Sequence, residues 1–309
     1  MSAARLIHTG QVIVDLVMPI ERLPPPGGDT LAMDATFEVG GGFNVMAAAS
    51  RDGMTVVYAG GHGQGRFGDM AREAMRGERI AWLAPVDETR DTGFCVALVD
   101  QAAERTFITH LGAEIGSRDV LHRLDPTPQD HVLVSGYTLL HETAAATLID
   151  WLSRQPASLS VAFDPGPMIA DLCPQRLGEI LRRTTLLSCN AEEALALTAT
   201  DSLAAALSAL PARTQAPLVV VRDGPRGCRL LADGQQHHVA GFDTRAVDTN
   251  GAGDAHTGVL LAALSRGQTP EQAARRANAA GAIAVSRHGP ATAPASSEID
   301  ALLAEQSKA

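Results

Sequence analysis

A glycine-rich stretch near the C-terminal end has residue types and a spacing that suit chemistry. Residues 247–258 read Val-Asp-Thr-Asn-Gly-Ala-Gly-Asp-Ala-His-Thr-Gly and continue into apolar, helix-like sequence. Gly251 and Gly253 flank the small Ala252 where a loop enters a helix, so successive backbone N–H groups can converge on an anion. Asp254 follows at once, and its carboxylate can accept a hydroxyl proton while the amides hold phosphate charge. The alternative is a glycine-rich turn in which Asp254 caps the helix.

The same stretch resembles the second signature of the PfkB/ribokinase family of carbohydrate and nucleoside kinases. The core of that signature is Asp-Thr-x-Gly-Ala-Gly-Asp, and residues 248–254 match every fixed position. The resemblance implies that Asp254 is the catalytic base and that Gly251, Ala252 and Gly253 form the anion hole. It also implies that Thr249 belongs to the ATP-binding residues.

Two N-terminal motifs are candidates for binding the phosphoryl acceptor. Asn44 follows three glycines and one Phe before a helix, where it can donate and accept hydrogen bonds at a polyol or simply cap the helix. Asp15 lies among apolar strand residues, where it either binds sugar hydroxyls or faces water at a strand end. The resemblance implies that Asp15, Gly42 and Asn44 hold the sugar, although Val39 stands where the family has its first Gly. This segment has no Lys or Arg, which favours an unphosphorylated substrate.

Two further motifs are candidates for binding nucleotide and metal. Asn190 and Glu193 open a helix after a strand, with the spacing of a capping box. They also match the family's Asn-x-x-Glu, and the resemblance implies that they organise Mg²⁺ through its waters while Asn190 contacts ATP. The two roles are compatible. Gly224 and Gly227 lie in a turn after another strand, and the resemblance places them along the nucleotide phosphates.

The last part of the chain completes the nucleotide motifs. Asn278 lies on an Ala-rich helix at the position where the resembled family packs adenine. In the resembled family a Ser at the position of Ala293 is a ligand of a monovalent cation. The resemblance therefore leaves open whether this chain binds such a cation.

A second glycine motif suggests a different class of protein. Gly63, Gly65 and Gly68 have the Gly-x-Gly-x-x-Gly spacing of a dinucleotide fingerprint, and Asp87 follows about 20 residues later. No strand clearly ends near Asp87. The motif is therefore a weak indication of an NAD-dependent oxidoreductase, and we expect its glycines to be structural.

Apolar strand-like runs alternate with Ala- and Leu-rich helical runs along most of the chain. The alternation predicts an α/β fold with a mostly parallel sheet and helices on both faces, and the resemblance implies a Rossmann-like, ribokinase-like arrangement. The predicted core strands are Arg5–His8, Thr55–Ala59, His131–Ser135, Leu159–Asp164, Thr185–Ser188 and Leu218–Arg222. The predicted helices are Asn44–Arg51, Asp69–Arg76, His141–Arg154, Cys173–Arg182, Ala191–Leu197, Leu203–Leu210, Asp254–Ser265 and Pro270–Ser286.

Two pairs of strands without intervening helices predict a small antiparallel sheet. The first pair is Gln11–Met18 with Leu31–Val39, and the second is Gly93–Val99 with Arg105–Thr109, joined by a hairpin over 100–104. The resemblance implies that this sheet, over about 11–39 and 92–110, is a lid on the sugar site. It further implies a single kinase domain over 1–309 and a homodimer through the lid.

Composition limits the partners. The 309 residues are 45% hydrophobic, the formal net charge is -10, and no long basic run or membrane-spanning apolar run exists. Nucleic acid and membrane are therefore not expected partners. The four cysteines are scattered, and the N-terminus does not resemble a signal peptide. Both features are typical of a cytoplasmic protein with reduced thiols.

The sequence thus predicts an ATP- and Mg²⁺-dependent kinase that phosphorylates a hydroxyl of a small sugar, with Asp254 as base. A nucleoside kinase of the same family is the second hypothesis, and only 4% of the residues are aromatic and able to stack on a base. A non-catalytic sugar-binding regulatory protein on the same fold is the third. Such a protein would have lost the base or the anion hole, and both are intact.

Overall fold

The computed structural model of the chain describes residues 3–101, 105–116 and 119–306. The strands within these residues are, in chain order, β1 (Arg5–His8), β2 (Val12–Pro19), β3 (Thr36–Gly41), β4 (Thr55–Tyr58), β5 (His62–Gly63), β6 (Ala81–Trp82), β7 (Val86–Asp87), β8 (Phe94–Val99), β9 (Arg105–His110), β10 (His131–Ser135), β11 (Ser160–Asp164), β12 (Leu186–Asn190), β13 (Leu218–Arg222), β14 (Cys228–Ala232) and β15 (Gln235–Val239). The α-helices are α1 (Gly42–Arg51), α2 (Arg66–Gly77), α3 (Gly136–Leu139), α4 (Glu142–Ser153), α5 (Pro174–Arg183), α6 (Ala191–Thr198), α7 (Leu203–Arg213), α8 (Ala252–Ser265), α9 (Pro270–Val285) and α10 (Ser296–Gln306).

Nine strands form the large sheet, in the order β15-β14-β13-β12-β11-β10-β1-β4-β6. The seven strands from β13 to β6 pair in parallel, and β14 and β15 add antiparallel strands at one edge. The central strands are short apolar runs, because both faces of a parallel sheet are covered by helices. Leu6 packs with α1 and α8 on one face, whereas its neighbour Ile7 packs with α4 and α7 on the other. The predicted fold class is confirmed.

The small sheet has the strand order β3-β2-β8-β9. Both predicted pairs are antiparallel, but the sheet is mixed because β2 and β8 pair in parallel at its centre. The predicted strand Leu31–Val39 is wrong in its first half, since β3 begins only at Thr36. Apart from one bridge between Ile20 and Ala32, the preceding residues have no partner strand, and Leu31 is 86% exposed. Residues 102–104 of the predicted hairpin lie outside the described residues.

The elements β14, α3 and α10 and the short strands β5 to β7 were not predicted from the sequence. No single helix in the described part of the chain is long and apolar enough to cross a membrane. Only α6 and α7 taken together meet the length and composition criteria, and they are bent by 58° relative to each other.

Candidate active site

Four neighbouring parallel strands of the large sheet, β10 to β13, each end in a polar residue at their carboxyl end. Ser135 is opposite Asp164 at the ends of β10 and β11, and Asn190 is opposite Arg222 at the ends of β12 and β13. In open parallel sheets, ligands bind beyond the carboxyl ends of the strands. Arg222 Nη1 donates to Asp164 Oδ2 at 3.2 Å, so these strand ends form one connected polar surface.

The residues of the predicted anion hole lie at the start of α8. Gly251 is the N-cap in the left-handed region, with φ of 71°, and a Cβ there would lie only 1.7 Å from the carbonyl oxygen of Pro290. Glycine is therefore required at this position. Among the described residues, the N–H groups of Gly251 and Gly253 have no hydrogen-bond acceptor. Unpaired donors at a helix N-terminus are suited to an anion.

Asp254 is the third residue of α8 and does not cap the helix. Its Oδ2 accepts a hydrogen bond from Asn44 Nδ2 at 3.1 Å. Asn44 likewise does not cap α1, whose N-cap is Gly41. Helices α1 and α8 approach closely because Gly258 packs against the backbone carbonyl of Val45. The close packing brings Asn44 and Asp254 together, and neither side chain makes a capping hydrogen bond to its helix.

Asp15 lies on β2 between Glu38 of β3 and Cys95 of β8 in the register of the small sheet. Its carboxylate lies directly against the Cα of Gly40, where a Cβ would be 2.2 Å from Oδ2. Burial, then the charges of Glu38 and Asp254, raise the pKa of Asp15 to about 7. Asp15 is therefore not a water-facing acid at a strand end. We call Asp15, Glu38, Asn44 and Asp254 the acceptor cluster.

Gly42 is explained by packing. A Cβ at Gly42 would lie 2.2 Å from Cε1 of His8 and 2.9 Å from the carbonyl oxygen of Gln11. The structure therefore gives Gly42 a reason to be glycine that involves no ligand. Its predicted contact with a sugar stays a prediction.

Burial also makes Asp254 a weaker acid. Burial raises its pKa to about 6, assisted by the charge of Asp164 and opposed by the Asn44 hydrogen bond and by Arg222. A general base is most effective when its pKa lies near the working pH. Asp254 therefore has the protonation behaviour of a base that acts near neutrality.

Replacing Asp15 tests these electrostatics in the unliganded protein. The pKa of Asp15 in the folded protein, about 7, lies above its ordinary value, so ionisation costs stability as the pH rises past about 4 and up to about 7. Asp15→Asn has similar size and no charge. We expect it to raise Tm by a few degrees at pH 8 and to give only about a third of that gain near pH 5. The exposed loop variant Asp201→Asn should show no such pH dependence, and an equal Tm shift at both pH values for Asp15→Asn would contradict the pKa assignment.

Asn190 and Glu193 form the predicted capping box of α6, with hydrogen bonds of 2.8 Å in both directions. Burial, and then the charge of Asp164, raise the pKa of Glu193 to about 7, while Arg222 and the Asn190 amide oppose the rise. One carboxylate oxygen of Glu193 is used by the cap, and the other has no hydrogen-bond donor among the described residues. A buried carboxylate with a free oxygen is suited to a cation. No group of three or more acids, His or Cys in the described residues has the geometry of a complete metal site.

A cavity of about 610 Å³ lies between the strand ends, α8 and α9. It is lined by the predicted nucleotide residues Asn190, Gly224, Gly227, Thr249 and Asn278, and by Ala252 and Gly253 of the predicted anion hole. The Asn278 side chain is already engaged, because its Nδ2 donates to the carbonyls of Val239 and Ala240, and its Oδ1 accepts from His256 Nε2. Asn278 therefore shapes the cavity wall together with His256.

Sequence analysis assigned no role to Asp164, Arg222, Glu38 or His256. The first two follow apolar strand runs, and a charged residue at the end of a buried parallel strand is a signal that could have identified them. Glu38 could have been found only from the register of β2 with β3. His256 becomes a wall residue through its bond to Asn278, which is distant in sequence.

The Gly63, Gly65, Gly68 motif does not form an anion site. The Asp91 carboxylate accepts hydrogen bonds from the backbone N–H groups of Phe67 and Gly68 and thereby occupies the N-terminus of α2, where a pyrophosphate would lie. A Cβ at Gly68 would be 1.9 Å from the carbonyl oxygen of Gly63. These glycines allow the loop to pack against α2, as expected, and the dinucleotide hypothesis loses its support.

Comparison with known proteins agrees with this geometry. The family model "pfkB family carbohydrate kinase" matches residues 3–297. The uncharacterized sugar kinase YegV of Escherichia coli strain K12 is 31% identical over 296 residues, which are 94% of this chain and 91% of that protein. The structure of Arabidopsis thaliana ribokinase complexed with ribose and ATP is similar with a TM-score of 0.79 at 23% identity, covering 98% of this chain and 99% of that one. A candidate ribokinase II of E. coli in complex with ATP and Mg²⁺ has a TM-score of 0.81 at 20% identity, covering 98% and 100%.

The fold is that of the ribokinase structures, and the described site has free amides at the start of α8 beside the Asp254 carboxylate. The chain belongs to the pfkB family of carbohydrate kinases. This confirms the predicted class of enzyme, an ATP-dependent carbohydrate kinase.

Proposed function

We propose that the chain transfers the γ-phosphoryl group of ATP to a hydroxyl of a small, unphosphorylated sugar, with Asp254 as the general base. The observation that carries the proposal is the contact between Asn44 and Asp254. This contact joins the acceptor cluster to the anion hole at the start of α8, so a bound hydroxyl would lie between the base and the phosphoryl group. Asp15 and Asn44 hold sugar hydroxyls in this proposal.

Substrate chemistry follows from the charges around the acceptor cluster. Asp15, Glu38 and Asp254 are acids, and no Arg or Lys side chain is hydrogen-bonded to any of them in the described residues. A phosphate on the acceptor would meet three carboxylates without a cation. Sugar hydroxyls can instead donate hydrogen bonds to these oxygens and to Asn44 Oδ1, which is buried and has no partner among the described residues.

ATP is proposed to lie in the cavity, with its phosphates along Gly224, Gly227 and Thr249 and at the amides of Gly251 and Gly253. The relatives in complex with ATP support this donor. Asn190 and Glu193 would hold Mg²⁺ through its water shell, since one Glu193 carboxylate oxygen accepts no hydrogen bond from a described residue. The metal, when bound, supplies charge neutralisation at the phosphate oxygens. We propose a cytoplasmic location because the proposed phosphoryl donor is ATP.

Each residue of the site has a proposed role in phosphoryl transfer. Asp254 accepts the proton of the attacking hydroxyl, and Asn44 orients the Asp254 carboxylate through its amide. The Gly251 and Gly253 amides face the charge that grows on the transferred phosphoryl group. The Ala252 N–H of the predicted anion hole donates to the Thr249 carbonyl at 3.4 Å and would have to exchange that bond to join them. The small sheet acts as a lid that carries Asp15 over the acceptor and excludes water, and it also offers a surface for a homodimer.

Asp15→Ala and Asn44→Ala should each weaken sugar binding while ATP binding persists. A hydrogen bond to a charged group contributes about 1.5–3 kcal/mol, so Asp15→Ala should lower sugar affinity about tenfold to a hundredfold. Isothermal titration calorimetry with sugar and, separately, with ATP measures both effects. Asp201→Ala, in an exposed loop, is the control. Unchanged sugar affinity in both cluster variants would remove Asp15 and Asn44 from the site.

A coupled ADP-release assay tests the proposed function. We expect at least one unphosphorylated sugar to stimulate ADP release above the rate with ATP alone, and chelation of divalent cations to abolish the stimulation. Stimulation only by sugar phosphates or only by nucleosides would overturn the proposed substrate class. Comparing sodium with potassium salts in the same assay decides whether a monovalent cation activates the enzyme.

A further inference from the structure

We propose that Arg222 is a catalytic residue, which contacts the γ-phosphoryl group of ATP through the edge formed by its Nε and Nη2 atoms. This inference rests on the proposed function, because it presumes ATP in the cavity. It assigns a role to a residue that neither the glycine motifs nor the anion hole requires.

Arg222 ends β13 and is held firmly from one side. Its Nη1 donates to Ser188 Oγ at 2.6 Å, to Thr257 Oγ1 at 2.9 Å and to Asp164 Oδ2 at 3.2 Å. The side chain is only 13% exposed. Three acceptors on three elements therefore fix the guanidinium plane in one orientation, as a preorganised group requires.

The opposite edge of the guanidinium, formed by Nε and Nη2, has N–H groups available for a ligand. Neither Nε nor Nη2 donates a hydrogen bond to any residue that the structure describes, and Nη2 lies 3.5 Å from Glu193 Oε2 in an ion pair. A Cβ placed on Gly253 would lie 3.4 Å from Nε and 3.6 Å from Nη2. The free edge therefore lies beside the last glycine of the anion hole and borders the cavity.

This geometry matches a phosphoryl group. Two parallel N–H groups on a rigid plane bind two phosphate oxygens in a fixed bidentate geometry that a lysine ammonium group does not offer. The transferred phosphoryl group spreads negative charge over its equatorial oxygens in the transition state. Among the described residues that line the cavity, Arg222 is the one Lys or Arg. The sequence has a single lysine, Lys308, which lies outside the described residues.

The alternative role for Arg222 is structural. Asp164 and Glu193 are both close to it, and their charges raise its pKa against the effect of burial. An arginine that only neutralised these two acids would support folding and the metal site. It would not distinguish ATP from ADP, because it would have no contact with the γ-phosphoryl group.

Arg222→Lys separates the two roles, because it keeps the charge that faces Asp164 and Glu193 but loses the planar edge. We expect a non-hydrolysable ATP analogue to bind about tenfold to a hundredfold more weakly, with ADP affinity changed less than about threefold. With a cognate sugar, kcat should fall by at least about 10²-fold. Thr257→Val, which removes one anchor of Nη1, should weaken discrimination between the two nucleotides severalfold and does not depend on the folding of an Arg222 variant.

Arg183→Lys is the matched control. Arg183 is the last residue of α5, is partly buried, and donates to the backbone carbonyls of Leu152 and Pro156. The Arg183→Lys variant should behave like wild type. Equal losses for the ATP analogue and ADP in Arg222→Lys, or no loss for either, would overturn the role of Arg222 and leave the proposed function standing. A wild-type protein that binds neither nucleotide would overturn both.

Discussion

Asp254→Asn is expected to lower kcat by at least about 10²-fold while ATP and sugar bind nearly as in wild type. The asparagine retains the size of the side chain and can still contact Asn44, but it cannot accept a proton. General-base catalysis typically contributes about 10²–10⁴-fold. The lost interaction acts mainly in the transition state, so kcat should fall and the binding constants should not. Steady-state kinetics with calorimetry measures both.

The same variant also tests the structural alternative. Burial raises the pKa of Asp254 to about 6, so its ionised form costs stability above that pH. Asp254→Asn should therefore melt at or above the wild-type temperature at pH 8. Asp69→Asn, at an exposed acid in the first turn of α2, is the matched control and should leave kcat unchanged. A near-normal kcat in Asp254→Asn would refute its role as base, and a large drop in Tm would instead indicate a structural acid.

Gly251→Ala is expected to have the second largest effect. The added methyl would require φ of 71° in a non-glycine residue and would collide with the carbonyl oxygen of Pro290. Left-handed backbone alone costs a non-glycine residue about 1–3 kcal/mol, and the collision forces the loop to move. We expect kcat/KM for ATP to fall by at least about 10²-fold, because the amides of the anion hole lose their alignment. Kinetics at saturating sugar measures this loss.

Gly267→Ala provides a close control for Gly251→Ala. Gly267 follows the same helix, has φ of 78°, and has open space where a Cβ would be. It should lose stability from backbone strain alone, with a lower Tm and unchanged kcat/KM. If the two variants have the same kinetics, the collision with Pro290 does not control the anion hole.

The sequence was informative where local chemistry determines structure. β1, β10 and β13 have the predicted bounds, because a strand covered on both faces is a continuous apolar run that ends at a polar residue. The capping box of Asn190 and Glu193 was likewise predicted, since its residues are only three apart and need no tertiary contact. The glycine at position 251 was predictable because a left-handed backbone at a helix start favours glycine.

The remaining features depend on tertiary arrangement. Arg222 on β13 meets Asp164 on β11 only because β12 alone separates these two strands in the sheet, and that strand order has no local pattern in the sequence. Asn44 and Asp254 are 210 residues apart and meet through the packing of α1 on α8. Gly42 is the opposite case. It was predicted to contact the sugar, but the close packing of His8 already explains why the residue is glycine.

Phosphorus NMR of a reaction with ATP and a stimulating sugar tests the central claim most directly. The account predicts that a new phosphomonoester resonance grows in equal amount with ADP, and that Asp254→Asn produces it at least about 10²-fold more slowly. ADP accompanied by an equal amount of inorganic phosphate, with no phosphomonoester in wild type, would contradict transfer to a sugar hydroxyl.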